Sequence, residues 1–214
     1  MSKTKRKAGL IVSIVIVSLI VIGLLGYLGY NNLYRFPSKF RKLDDNSLSA
    51  EQTEVLKEKI LQKETVNVLV AYFSYSGSTQ RVAARISNEL SADIFEIIPE
   101  TEYSNVYMQS NREIRRAEKP KIAQTVDNME NYDIVFVGFP VWWHATPAII
   151  NTFMESYNFS DKLIIPFCTS GGSDISEPLP TFLDSCDGLA VYGATRLTGT
   201  GEVTTWLNEL NLFN

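Results

Sequence analysis

Three runs in this sequence are apolar almost from end to end: VNVLVAYF (Val66–Phe73), YDIVFVGF (Tyr132–Phe139) and KLIIPFC (Lys162–Cys168). A strand with one face in water alternates apolar and polar residues, whereas a strand covered on both faces does not. The runs therefore predict strands, with Tyr132–Phe139 buried on both sides, as in a parallel sheet with helices on each face. The stretches between them agree. Thr79–Leu90 sets Val82, Ala83, Ile86 and Leu90 at helical spacing, and Ala145–Tyr157 does the same with Ile149, Ile150, Phe153 and Met154. A further strand is expected at Asp93–Ile98, stopped by Pro99, and a fifth at Leu189–Ala194. Helices are expected at about Glu177–Leu183 and Glu202–Leu210. Five strands separated by helices within residues 65–214 give an α/β fold whose ligands bind outside the carboxyl ends of the strands.

The amino-terminal third is different in kind. Residues 1–7 are a basic segment with Lys3, Lys5, Arg6 and Lys7, and residues 8–30, AGLIVSIVIVSLIVIGLLGYLGY, carry no charge. That run is long enough to cross a hydrocarbon core of roughly 30 Å, and neither of its faces is polar. It is too long for the apolar region of a cleaved signal peptide and ends in Tyr27 and Tyr30, as an interfacial belt would. The expectation is one uncleaved transmembrane anchor in a cell membrane. Four basic residues precede it and four follow (Arg35, Lys39, Arg41 and Lys42), but the first group is compact and adjacent to the span. The positive-inside rule then favours a cytoplasmic amino terminus and an extracytoplasmic soluble domain. Residues 31–64 read as a juxtamembrane stalk with a short helix from Asn46 or Ser49 to Lys63, a spacer or a helix resting on the domain.

Charge and cysteine usage narrow the function classes. Residues 65–214 hold 9 Lys/Arg against 18 Asp/Glu, so nucleic acid is not an expected partner. The same balance suits solubility, or docking onto a basic protein face. Cys168 falls at the carboxyl end of one strand and Cys186 before the amino end of the next, opposite edges of a parallel sheet. Two free thiols are expected, neither of them catalytic.

Three loops converge on the ligand edge. The first, SYSGST, runs from a strand into a helix, whose unpaired amides and dipole favour an anion. Gly77 allows close approach, and Ser74, Ser76, Ser78 and Thr79 can donate hydroxyl hydrogen bonds. One Ser or Thr would serve an ordinary cap; four hydroxyls point to a phosphate. The loop lacks GK[ST] and GxGxxG, so it is neither a nucleoside triphosphate loop nor a dinucleotide fingerprint. It has no cysteine nucleophile, and no aspartate ends the third strand, so it suits a phosphate ester held intact. The second loop, Pro140, Val141, Trp142, Trp143, His144, puts two tryptophans at the edge. Two adjacent rings are not expected to pack inward together, and a flat aromatic ligand would account for at least one. His144, the only histidine, is read as a donor to a ligand carbonyl, a group near a redox-coupled proton, or a solvent-facing side chain. No metal site is expected around it. The third loop, Thr169, Ser170, Gly171, Gly172, offers small residues against a planar ligand.

In this combination the residues resemble the flavodoxin family. SYSGST is similar to its phosphate loop, [ST]-x-[ST]-G-x-[ST], and NMENYDIVFVGFPVWWHATPAIINTFMESYNFSDKLIIPFCTSGGS looks like the short flavodoxin-like proteins of many bacteria. The resemblance covers about residues 66–212. It implies a flavodoxin-like three-layer sandwich with a five-stranded parallel sheet in the order 2-1-3-4-5. It also implies FMN, with phosphate on Ser74, Ser76, Gly77, Ser78 and Thr79. The isoalloxazine would lie between Pro140–His144 and Thr169–Gly172. Electron-carrying members usually have a glycine in the second loop, whose peptide flips to bond the reduced flavin, and an aromatic in the third. Neither stands here, which weighs against one-electron carriage, and Tyr103 or Tyr107 would have to supply the missing ring face. The expectation is an electron-transferring flavoprotein acting on a redox partner protein, a quinone or another small acceptor. The alternatives are an FMN-dependent NAD(P)H:quinone-type reductase and a flavin-free assembly module. The acidic balance is expected to lower the flavin potential.

Overall fold

The computed structural model describes residues 3–31 and 45–212. Residues 32–44, with Pro37 and the second basic group of the stalk, lie outside the described residues. The first helix, α1 (Lys3–Gly29), spans 27 residues. From Ile11 to Gly29 none of it is buried and its mean hydropathy is 2.8, so it is long and apolar enough to cross a membrane.

The α/β unit follows the expected topology. Its elements in chain order are α2 (Ala50–Leu61), β1 (Val68–Tyr72), α3 (Ser78–Leu90), β2 (Asp93–Glu96), α4 (Val106–Arg116), β3 (Ile134–Pro140), α5 (Ala148–Ser156), β4 (Leu163–Thr169), α6 (Leu179–Leu183), β5 (Ala190–Val191), β6 (Thr195–Leu197) and α7 (Val203–Glu209). The strands pair in parallel in the order β2-β1-β3-β4-β5, with β6 also on β4. Alternate residues of the central strands feed two cores. Val70, Phe136, Ile165 and Phe167 meet α3, α7 and α2 on one face. Leu69, Val135, Val137 and Ile164 meet α5 and Phe182 of α6 on the other.

Two expectations change. The fifth strand is not continuous over Leu189–Ala194: β5 pairs Leu163 and Ile164, the chain kinks at Tyr192–Ala194, and β6 resumes at Phe167. Gly193 sits at φ +60 with the Leu210 side chain where its Cβ would be, a backbone that only glycine takes without strain. Pro166, which has no N–H for a ladder, lies opposite the interruption. The second change is the stalk helix. Ile60 is 1% exposed and belongs to the core on the α3 face. Leu48 N–H donates to Leu189 O and Gly188 N–H to Asn46 O, both at 2.9 Å. Residues 46–61 are therefore part of the folded unit, and the spacer reading gives way to a helix that rests on the domain.

Candidate functional site

Sheet register decides which loops meet. Tyr72 of β1 lies level with Gly138 of β3, and Phe73 N–H donates to Gly138 O at 2.9 Å. Pro140 lies level with Thr169 of β4, and Val141 N–H donates to Thr169 O at 3.2 Å. The three loops thus leave neighbouring strands at one edge. β1 stands between β2, which follows it, and β3, which makes this the switch point of the sheet.

The first loop is built for an anion. α3 starts from Gly77 at φ +81 with no side-chain cap, so its first-turn amides have no side-chain acceptor. Ser74 Oγ is buried with no hydrogen-bond partner. Ser76 is exposed, whereas Ser78 Oγ accepts from Arg81 Nη2 at 3.3 Å. Arg81 is an addition to the sequence reading, which had only neutral donors here; one helical turn after Gly77, it returns to the loop. The Thr79 and Thr169 hydroxyls bond each other at 2.8 Å in a buried pair that fastens the first loop to the third. In the third loop Ser170 Oγ accepts from Gly172 N–H (3.2 Å) and Ser173 N–H (2.9 Å). Gly171 and Gly172 face open space.

The second loop is a two-residue turn. Trp142 and Ala145 exchange backbone hydrogen bonds at 3.0 and 2.9 Å, while Trp143 and His144 lie at φ 54 and 58. Two central residues at positive φ make a type I′ turn, normally filled by Asn and Gly. A bulky residue there costs on the order of 1–3 kcal/mol and persists only when its surroundings hold it. Both residues are held: Trp143 Nε1 donates to Ser110 Oγ of α4 at 2.9 Å, and His144 Nδ1 pairs with Glu177 Oε2 before α6. The hydrogen bond from His144 holds the Glu177 carboxyl below its ordinary range. This turn also sends the two half-buried tryptophans apart. Trp142 packs edge-on against Phe73 (5.2 Å between centroids) and Tyr103 (5.3 Å), and Trp143 meets α4, with Tyr107 at 6.3 Å. Because the turn reverses the chain, adjacent rings reach different elements. Tyr75, Tyr107, Ser110, Val141, Trp142 and Trp143 border a cavity of about 300 Å³.

Ser110 and Glu113 come from α4, an element absent from the sequence reading. Its signals were present: Asn105 caps Met108 N–H at 3.1 Å, and Arg115 and Arg116 close the last turn. Its buried face, however, carries Ser110, Asn111 and Glu113 beside Ile114, so apolar spacing does not reveal it. Glu113 is 7% exposed and accepts from Tyr103 OH at 2.9 Å. Burial pushes its carboxyl above the ordinary range, and burial likewise raises the Tyr103 phenol. A carboxyl raised by folding favours the fold when protonated; that contribution is complete below its unfolded pKa and lost as pH rises through the folded one. Glu113→Gln keeps the acceptor and removes the charge. Thermal melts should show it more stable than the parent at pH 8, the difference closing as pH falls into the carboxylate range. Cys168 and Cys186 are free and buried, and burial lifts both thiols to about 12, so neither is a nucleophile near neutrality.

A doubly wound parallel sheet with an uncapped, hydroxyl-lined helix start at its switch point defines the flavodoxin type of α/β protein. A family model described as flavodoxin matches residues 67–210, and the chain belongs to that family. A candidate flavoprotein from Bacteroides eggerthii is 30% identical, covering 70% of this chain and 100% of its own at a TM-score of 0.61. A second from Bacteroides uniformis is 31% identical over 68% of this chain and 99% of its own (TM-score 0.59). A Lactobacillus acidophilus flavoprotein in complex with FMN is 25% identical over 67% of this chain and 99% of its own (TM-score 0.56). A search of curated proteins finds no match.

Proposed function

We propose that this is a membrane-anchored, flavodoxin-like protein that binds FMN and transfers electrons to or from a protein partner, a quinone or another small acceptor. The observation that carries the reading is Ser74 Oγ, buried without a partner beside the uncapped start of α3. An orphaned hydroxyl costs about 1–3 kcal/mol unless a ligand meets it. A phosphate ester is the acceptor that this loop, its exposed Ser76 and the nearby Arg81 suit. The FMN complex of the Lactobacillus relative supports the same assignment. Ser74, Ser76, Gly77 and Ser78 would hold the phosphate. Thr79, whose hydroxyl is bonded to that of Thr169, would contribute its backbone N–H, while Thr169 fastens the third loop to the first. Pro140–His144 and Ser170–Gly172 would flank the ring, which supplies the electron chemistry when bound. Residues 8–30 would anchor the chain with its amino terminus in the cytoplasm.

The test is the visible spectrum and FMN affinity of the full chain in detergent micelles. Bound flavin is expected at one per chain. Ser74→Ala should weaken it about tenfold while leaving the melting temperature of the flavin-free protein unchanged or higher, because the deleted hydroxyl had no partner. A colourless protein after incubation with FMN sinks the proposal.

The second loop favours a second reading, two-electron reduction of a quinone-type acceptor by NAD(P)H. Flipping the Trp143–His144 peptide would carry Trp143 to negative ψ at φ 54, a region open essentially to glycine alone. A turn that does not flip cannot offer a different hydrogen bond after one electron. Potentiometric reduction should then show one two-electron step; two well-separated one-electron steps would restore the carrier reading.

A further inference from the structure

We infer that α4 and the Trp142–Ala145 turn form a second subsite, one that binds the anionic group of a planar small molecule, a carboxylate or phosphate ester, beside Trp143. Beyond the cavity that opens from Tyr75 lies another of about 580 Å³, sharing Tyr107 and Trp143 as its wall and lined by Arg112, Arg115 and Arg116. The three arginines stand at i, i+3 and i+4 and so share one helical face. In a domain with 9 Lys/Arg against 18 Asp/Glu, three cations and one carboxylate on the five positions 112–116 are a local reversal of sign. The counter-charge is incomplete. Glu118 serves both Arg112 (3.1 Å) and Arg116 (3.8 Å), while Arg115 makes no ion pair among the described residues. Arg115 Nε is buried with no hydrogen-bond partner. A buried guanidinium N–H without an acceptor is costly, and a carboxylate or phosphate is what its planar fork matches. The apolar side of the same cavity is supplied by Trp143, exposed Tyr107 and exposed Met108, so an occupant with a flat ring and one anionic end satisfies both halves.

The inference rests on the FMN reading for the reaction it would serve, a substrate held next to the flavin ring, but not for binding itself. The experiment uses the full chain in micelles, with and without FMN, and three probes of one shape: 2-naphthoate, 2-naphthyl phosphate and the neutral 2-naphthylmethanol. At least one anion should bind about tenfold more tightly than the alcohol, and the tighter of the two identifies the anionic group. Arg115→Gln should erase that preference and leave the alcohol's affinity and the melting temperature unchanged; Arg115→Lys should restore part of it. Equal binding of all three probes, or a preference that survives Arg115→Gln, overturns the subsite. Anion preference in a protein that takes up no FMN leaves the subsite standing and removes the flavin reading. FMN uptake without the preference does the reverse.

Discussion

Gly138→Val is expected to destabilise the α/β unit severely. Gly138 lies in β3 opposite Phe167 of β4, and a Cβ there would stand 2.2, 2.6 and 2.8 Å from three atoms of the Phe167 ring. That ring cannot swing away: Phe167 is fully buried and its neighbour in the same core is Trp206, at 6.0 Å between centroids. Overpacking a close-packed core typically costs 1–3 kcal/mol. Here the clash is with an aromatic ring in a sheet whose register is fixed on both sides, so a loss of about 4 kcal/mol is expected for valine and somewhat less for alanine. Such a loss is a large part of a domain's net stability. The site would suffer with the fold, since Gly138 O accepts from Phe73 N–H immediately before the first loop. The measurement is denaturant unfolding of Gly138→Ala alone and combined with Phe167→Leu. The double variant should recover much of the loss because the smaller side chain vacates the space. Additive destabilisation would show that the ring is not the cause.

That glycine marks where sequence reading stops. The run YDIVFVGF announces a strand buried on both faces because its composition is enough. The aromatic ring lying over the single glycine is supplied by a residue 29 positions later, and no local pattern points to it. The site divides in the same way. Loops that leave the ends of β1, β3 and β4 could be gathered from topology alone, since strand order and carboxyl ends place them together. What holds them could not. Thr79 meets Thr169 across 90 residues, Trp143 meets Ser110, and His144 meets Glu177. The consequence is largest at Trp142–Ala145, where a sequence without Asn or Gly nevertheless adopts a type I′ turn because two tertiary bonds hold it. α4 was hidden for a related reason: its inward face is polar, and its polar residues are the ones that reach the turn and Tyr103. Functional residues lie where local preference and observed structure part company.

The largest effect away from the site is expected at α2. A stalk that merely separates the domain from a membrane could be cut at residue 64 without cost, whereas the structure predicts a different result. The helix is fixed at its start by a capping box, with Gln52 N–H donating to Ser49 Oγ (3.3 Å) and Ser49 N–H to Gln52 Oε1 (3.0 Å). Its middle is fixed by Lys57, whose ammonium donates to Tyr192 OH at 3.2 Å and lies 4.6 Å from that ring's centre. Ile60 fills the core beside α3 and α7, and Lys63 after the helix pairs with Asp133 at the start of β3. Gly188, Leu189 and Asp133 lie at the amino edge of the sheet, so the backbone before α2 and Lys63 after it are tied down away from the three loops. Removing a fully buried isoleucine side chain alone costs about 2–5 kcal/mol. A fragment of residues 64–212 should therefore melt about 10 °C or more below one of residues 45–212. Ile60→Asp in the longer fragment should lose as much, because it leaves a buried charge without a partner. Equal melting temperatures for the two fragments would mean that α2 is only a tether. With the expected difference, the folded unit begins near Asp45, and FMN binding by a fragment cut at residue 64 would report the missing helix as much as the site.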